Sequence, residues 1–113
     1  WPERIASGAR RIDFATAGPL TFEAPDRRRF RCLDYAYASL RRGGAASVVL
    51  NAANEIAVQA FLEERLRFTA IAPTIEQMLE TYDPPPPNDI DDVLIIDREA
   101  RERARERVLE KVS

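Results

Sequence analysis

Apolar side chains recur along this chain at two different periods, and each predicts a different backbone. Near the N-terminus Ile12-Asp13-Phe14 and Leu20-Thr21-Phe22 alternate apolar, polar, apolar, the period of an extended chain. Gly8, Gly18-Pro19 and Pro25 punctuate this stretch. Residues 1–25 therefore read as a loop-rich connector with two short extended segments, too short for a sheet of their own. From residue 26 the period becomes helical. Asp26 can accept hydrogen bonds from free N–H groups as an N-cap, Phe30, Leu33, Tyr37 and Leu40 follow at helical spacing, and Gly43-Gly44 supplies a stop. After Ser47, a second cap, the run from Val48 to Leu62 is apolar around most of its circumference, as a helix at the centre of a bundle is. One narrow polar stripe interrupts it, formed by Asn51, Glu55 and Gln59 with Asn54 alongside.

A third helix is marked by Thr69 as cap and by Ile71, Ile75, Met78, Leu79 and Tyr82, with Pro73 close enough to the start to remove about one backbone bond. Pro84-Pro85-Pro86-Pro87 cannot be helix or central strand, so it predicts an extended, semi-rigid spacer. Beyond it Ile90 to Ile96 is a short apolar stretch. Asp97 then caps a last helix that sets Ala100, Ala104, Val108 and Val112 on one face. The chain is thus expected to be all-α. A small bundle of about four helices fills residues 26–113, with the Pro-rich spacer at 84–87, behind the connector of residues 1–25.

Composition narrows the chemistry. At 113 residues there is room for one domain, and 17 basic against 19 acidic side chains give a net charge of -2 that names no partner. The single Cys32 has no second thiol for a disulfide or a shared metal, fits a reducing compartment, and is most simply a small core residue. The absence of histidine removes His-based acid/base catalysis, His triads and His-ligated metals from this chain. No apolar run approaches the ~20 residues that span a bilayer, and no signal-peptide pattern is present, so a cytoplasmic protein is expected. The first residue is Trp1 and not Met, as in a piece of something longer.

Few residues offer chemistry. Asn51, Asn54 and Glu55 stand at i, i+3 and i+4, where two amides and a carboxylate can act together. Half a metal or phosphate site is one reading of them. A polar stripe that satisfies neighbouring backbone or faces another domain is the reading we prefer, because bundle metal sites draw ligands from several helices. Arg27, Arg28, Arg29 and Arg31 form the one concentrated basic run, but no aromatic platform accompanies it and the chain is acidic overall. It reads as a solvated helix face, and neither nucleic acid nor membrane is expected as a partner. Asp89, Asp91 and Asp92 lack the glycine turn and the distal Glu of a calcium loop. No phosphate-cradling glycine loop occurs. On its own the domain does not read as an enzyme.

Several strings nonetheless resemble a known family. Trp1-Pro2 with Arg4, Leu20-Thr21-Phe22, Ala24-Pro25-Asp26, Cys32-Leu33, Leu50-Asn51-Ala52-Ala53-Asn54-Glu55, Ala60-Phe61-Leu62, Arg67-Phe68-Thr69 and Asp92-Val93-Leu94 occur in order across the chain. Together they resemble the C-terminal region of the 1-deoxy-D-xylulose 5-phosphate reductoisomerases. The resemblance implies a bacterial NADPH-dependent oxidoreductase of the non-mevalonate isoprenoid pathway, using Mg²⁺ or Mn²⁺ and working as a homodimer. It forms 2-C-methyl-D-erythritol 4-phosphate. It also implies that the NADPH-binding and catalytic domains lie upstream, with their metal and substrate ligands. No catalytic, cofactor-binding or metal-binding residue then falls in this chain, which binds no cofactor itself. Its expected role is to brace the catalytic domain, with Asn51, Asn54 and Glu55 as the structural or interdomain candidates. A free-standing helical module that binds another protein is the alternative.

Overall fold

The computed structural model describes Glu3 and residues 5–112, so Trp1, Pro2, Arg4, Ser113 and the side chain of Val112 lie outside the described residues. Four helices form: α1 (Arg31–Arg42), α2 (Ala46–Leu62), α3 (Ile71–Thr81), entered through a 3-10 turn at Phe68–Ala70, and α4 (Ile90–Val112). No strand occurs among the described residues. At the first alternating stretch the chain turns, because Asp13 accepts the Ala15 N–H on its side chain and the Thr16 and Ala17 N–H groups on its carbonyl. The second, residues 20–22, makes no ladder and is exposed.

The helices start and stop where backbone groups find partners, and this moves several expected boundaries. Asp26 does cap, taking the Arg28 and Arg29 N–H groups at 3.1 Å, but it heads a single turn and α1 begins only at Arg31. Gly43 and Gly44 end α1 with φ of 69° and 59°, a left-handed pair that glycine adopts without strain. Ser47 lies inside α2, which starts behind Ala45 with no side-chain cap. At the other end Arg65 N–H reaches the Ala60 carbonyl and Glu64 N–H the Phe61 carbonyl, a Schellman closure with Glu64 at φ 60° where glycine is usual. Thr69 falls within the 3-10 turn and caps nothing, since α3 starts behind Ala70 without a side-chain cap.

The largest correction concerns the tail. Asp97 does not open the last helix, because α4 already runs from Ile90 without a break. Asp89 Oδ1 accepts the Asp92 N–H at 2.8 Å, an N-cap, while the Asp92 carboxylate accepts the Asn88 N–H at 3.0 Å and ties down the residue before the cap. Nothing between Ile90 and Ile96 breaks a helix, so propagation from that cap costs little.

α2 sits at the centre, packing most extensively on α4 and then on α3 and α1. Ala52, Ala53, Ala57 and Ala60 of α2 and Ala100 and Ala104 of α4 are all fully buried. With one carbon per side chain these positions let the two helices approach closely. Val49, Ile56, Ile75, Met78, Ile96 and Val108 fill the space around them. α2 and α4 run in the same direction, since Glu55 meets Arg101, Gln59 shares a cleft with Arg105, and residues 64–67 share one with Lys111.

α1 is the outlier. Its inward side carries Tyr35 and buried Ser39, while Phe30, Tyr37 and Leu40 are 59, 47 and 76 % exposed. Taken at 3.6 residues per turn, Leu33, Tyr37 and Leu40 fall within about 60° of arc, roughly opposite Tyr35 and Ser39. The apolar stripe that marks α1 in the sequence therefore faces mostly away from the bundle, with Leu33 half-buried at its edge. Ion pairs, Arg31 to Glu76 at 2.9 Å and Arg42 to Asp83 at 2.8 Å, pin the helix to α3 and the turn after it.

Candidate functional site

Asn51, Asn54 and Glu55 are exposed on α2 and share its outer side, as their spacing requires. The structure separates their roles. Glu55 is tied inward, pairing with Arg101 of α4, whose Nε donates to Asp97 at 2.8 Å. Arg101 is 27 % exposed, and its hydrogen bonds to Asp97 and Glu55 push its pKa further above the usual guanidinium value. The acid-base-acid cluster thus fastens α2 to α4, and Asp97, expected as a helix cap, is one of its members. Gln59, the last residue of the stripe, donates to Glu63 at 3.0 Å.

Asn51 and Asn54 have no side-chain hydrogen-bond partner among the described residues. They do not satisfy backbone within the bundle. About two to three turns further along the same helix, Phe61 and Leu62 are 37 and 72 % exposed, and Phe61 meets Phe68 edge-on at 5.6 Å between ring centroids. Asn51, Asn54, Val58, Phe61 and Leu62 span about 100° of the helix surface. Two free amides followed by an aromatic pair make a mixed surface of the kind that seats another protein surface. Periodicity alone does not link Phe61, Leu62 and Phe68 to the amides, because an apolar residue at helical spacing reads as core.

The remaining groups offer little reactivity. Cys32 is exposed and not a core residue, and partial desolvation raises its thiol pKa against the opposing pull of Arg31. Arg27 pairs with Asp34 at 2.5 Å and lies over the Tyr37 ring, and Arg31 is held by Glu76, so two cations of the basic run are already engaged. Tyr82 is buried, donates to Glu99 at 2.7 Å and is pushed up to about 12, by desolvation first and by Glu99 second. Arg103 lies 4.3 Å from its ring centroid. Among the described residues no three His, Cys, Asp or Glu side chains converge as ligands.

Residues 1–103 match the family model described as the DXP reductoisomerase C-terminal domain. The chain is 54 % identical over 104 residues to the 1-deoxy-D-xylulose 5-phosphate reductoisomerase of Acidithiobacillus ferrooxidans (strain ATCC 53993 / BNL-5-31), covering 92 % of this chain and 27 % of that protein. It is 49 % identical to that of Ralstonia pickettii (strain 12J), covering 92 % and 26 %. Among solved structures it is similar to the Zymomonas mobilis reductoisomerase in complex with NADPH, with a TM-score of 0.83, 44 % identity, and 96 % and 29 % of the two chains covered. It is also similar to a DOX-P reductoisomerase in complex with magnesium, with a TM-score of 0.81 and 34 % identity over 100 % of this chain and 30 % of that one. The chain spans about a quarter of the length of the curated relatives it matches.

Proposed function

Because the chain belongs to the DXP reductoisomerase C-terminal domain family, we propose that it is the non-catalytic bracing domain of such an enzyme. The parent would be a cytoplasmic homodimer that converts 1-deoxy-D-xylulose 5-phosphate to 2-C-methyl-D-erythritol 4-phosphate with NADPH and a divalent cation. The relatives are bacterial, two of the similar structures hold NADPH or magnesium, and no helix of the described residues is long and apolar enough to cross a membrane.

The observation that carries the bracing role is the combination of this family membership with a surface that presents unpartnered amides and exposed aromatic side chains. A brace acts by position. Catalytic groups must be held to within about 0.5 Å of their working geometry, and a rigid neighbour can supply that restraint. Residues 1–25 act as the connector in this reading. Asn51 and Asn54 turn their unpartnered amides toward the catalytic domain, and Glu55 holds their helix in place through Arg101.

The test is the triple substitution Asn51→Ala, Asn54→Ala and Glu55→Ala in the full-length enzyme, followed by NADPH oxidation and thermal unfolding. Lower turnover and a lower Tm are expected. Unchanged values of both would refute the assignment of these three residues.

A further inference from the structure

The bracing reading sets the α2 amides against the catalytic domain, and the structure holds a second outward surface besides that of α2. α1 is amphipathic, yet it turns Tyr35 and Ser39 toward α2 and α3 and leaves Tyr37 47 % and Leu40 76 % exposed, with Phe30 at 59 % just before its first turn. Burial of such a stripe is favourable in water, so an uncovered one is a standing cost. The two ion pairs to Glu76 and Asp83 hold α1 in this orientation, which makes the exposure a feature of the fold and not of a frayed end.

We propose, on the premise that the bundle braces the enzyme, that the Phe30, Leu33, Tyr37 and Leu40 stripe is the seat for the domain that precedes the connector in the same polypeptide. Size and tethering favour this occupant over a second copy of the bundle. A helix of 12 residues is about 18 Å long and presents a stripe about 10 Å wide, close to 200 Å². A stable interface between free partners needs roughly 800 Å² on each side. A tethered partner needs far less, because a short linker raises its effective concentration to about the millimolar range. The connector enters directly ahead of α1, and the matched domain is the C-terminal one in its family. The rest of the polypeptide is therefore tethered to the bundle through the connector, ahead of α1. The connector itself carries Ile12, Phe14, Leu20 and Phe22, each at least 65 % exposed.

Hydroxyl-radical footprinting of the full-length enzyme, read residue by residue, tests the proposal. Leu94 and Leu109 on α4, 60 and 63 % exposed, are the internal references. Leu40 is expected to label at least about fivefold more slowly than these leucines although it is the more exposed in the bundle, and to do so at every enzyme concentration. If Leu40 labels as fast as the references while Leu62 of α2 is protected, the α1 assignment is overturned and the bracing role survives. If none of the bundle's outward side chains is protected, both fail. Protection of Leu40 that disappears on dilution would assign the stripe to a second copy and overturn the proposal.

Discussion

Truncating Ile75 to alanine should cost far more than truncating Leu40, although both are branched aliphatics at helical spacing. Ile75 is fully buried between α3 and α2, and its loss to alanine removes three carbons at about 0.8 kcal/mol each, or about 2.4 kcal/mol. The hole left in a close-packed core adds to this, giving about 3–4 kcal/mol in all. For a domain of this size that lowers Tm by roughly 12–30 °C. Leu40 is 76 % exposed, so its truncation removes little buried area and should cost less than about 0.5 kcal/mol in the 113-residue chain. Urea unfolding followed by far-UV circular dichroism measures both, and an unchanged slope against urea would confirm that the comparison is one of stability. Equal losses for the two variants would refute the orientation of α1 and, with it, the account of what that helix leaves uncovered.

Other expectations rest on single residues. Glu64 occupies a left-handed position that costs a non-glycine residue about 1 kcal/mol, so Glu64→Gly should raise stability by about that amount in the same urea assay. Ser39 Oγ is buried without a hydrogen-bond partner among the described residues, and Ser39→Ala should gain about 1 kcal/mol, whereas a clear loss would mean that the hydroxyl is satisfied. Arg101→Gln should cost about 1–2 kcal/mol by parting α2 from α4, and Glu55→Gln should add almost nothing once Arg101 is gone, as a double-mutant cycle would show. Tyr82 holds its proton more tightly folded than unfolded, with a pKa of about 12 against 10. Its contribution is therefore complete below pH 10 and lost as pH rises toward 12, and stability measured across that window should fall less steeply in Tyr82→Phe.

The existence, order and approximate place of the four helices were legible because periodicity and helix breakers are local signals. Boundaries were less so. Asp26, Asp89 and Asp97 look alike in sequence, and only the backbone shows that the first heads a single turn, the second opens α4 and the third pairs with Arg101. Ser47 and Thr69 suit the N-cap role but stand off the cap positions, which Ala45 and Ala70 occupy. The orientation of α1 was not legible at all, because amphipathicity identifies an apolar face without saying what covers it. Cys32, expected in the core, shares that helix and is exposed with it. The polar stripe of α2 was found by spacing, yet the division between Glu55, engaged by Arg101, and the two free amides depends on a helix far along the chain.

The central claim is that this bundle supports catalysis performed elsewhere in its polypeptide. The most direct measurement is the turnover of the full-length enzyme, by NADPH oxidation with 1-deoxy-D-xylulose 5-phosphate and Mg²⁺, before and after removal of residues 26–113. The account predicts that removal abolishes most of the turnover, while the 113-residue chain by itself oxidises no NADPH. Undiminished turnover without the bundle, or activity in the bundle alone, would contradict it.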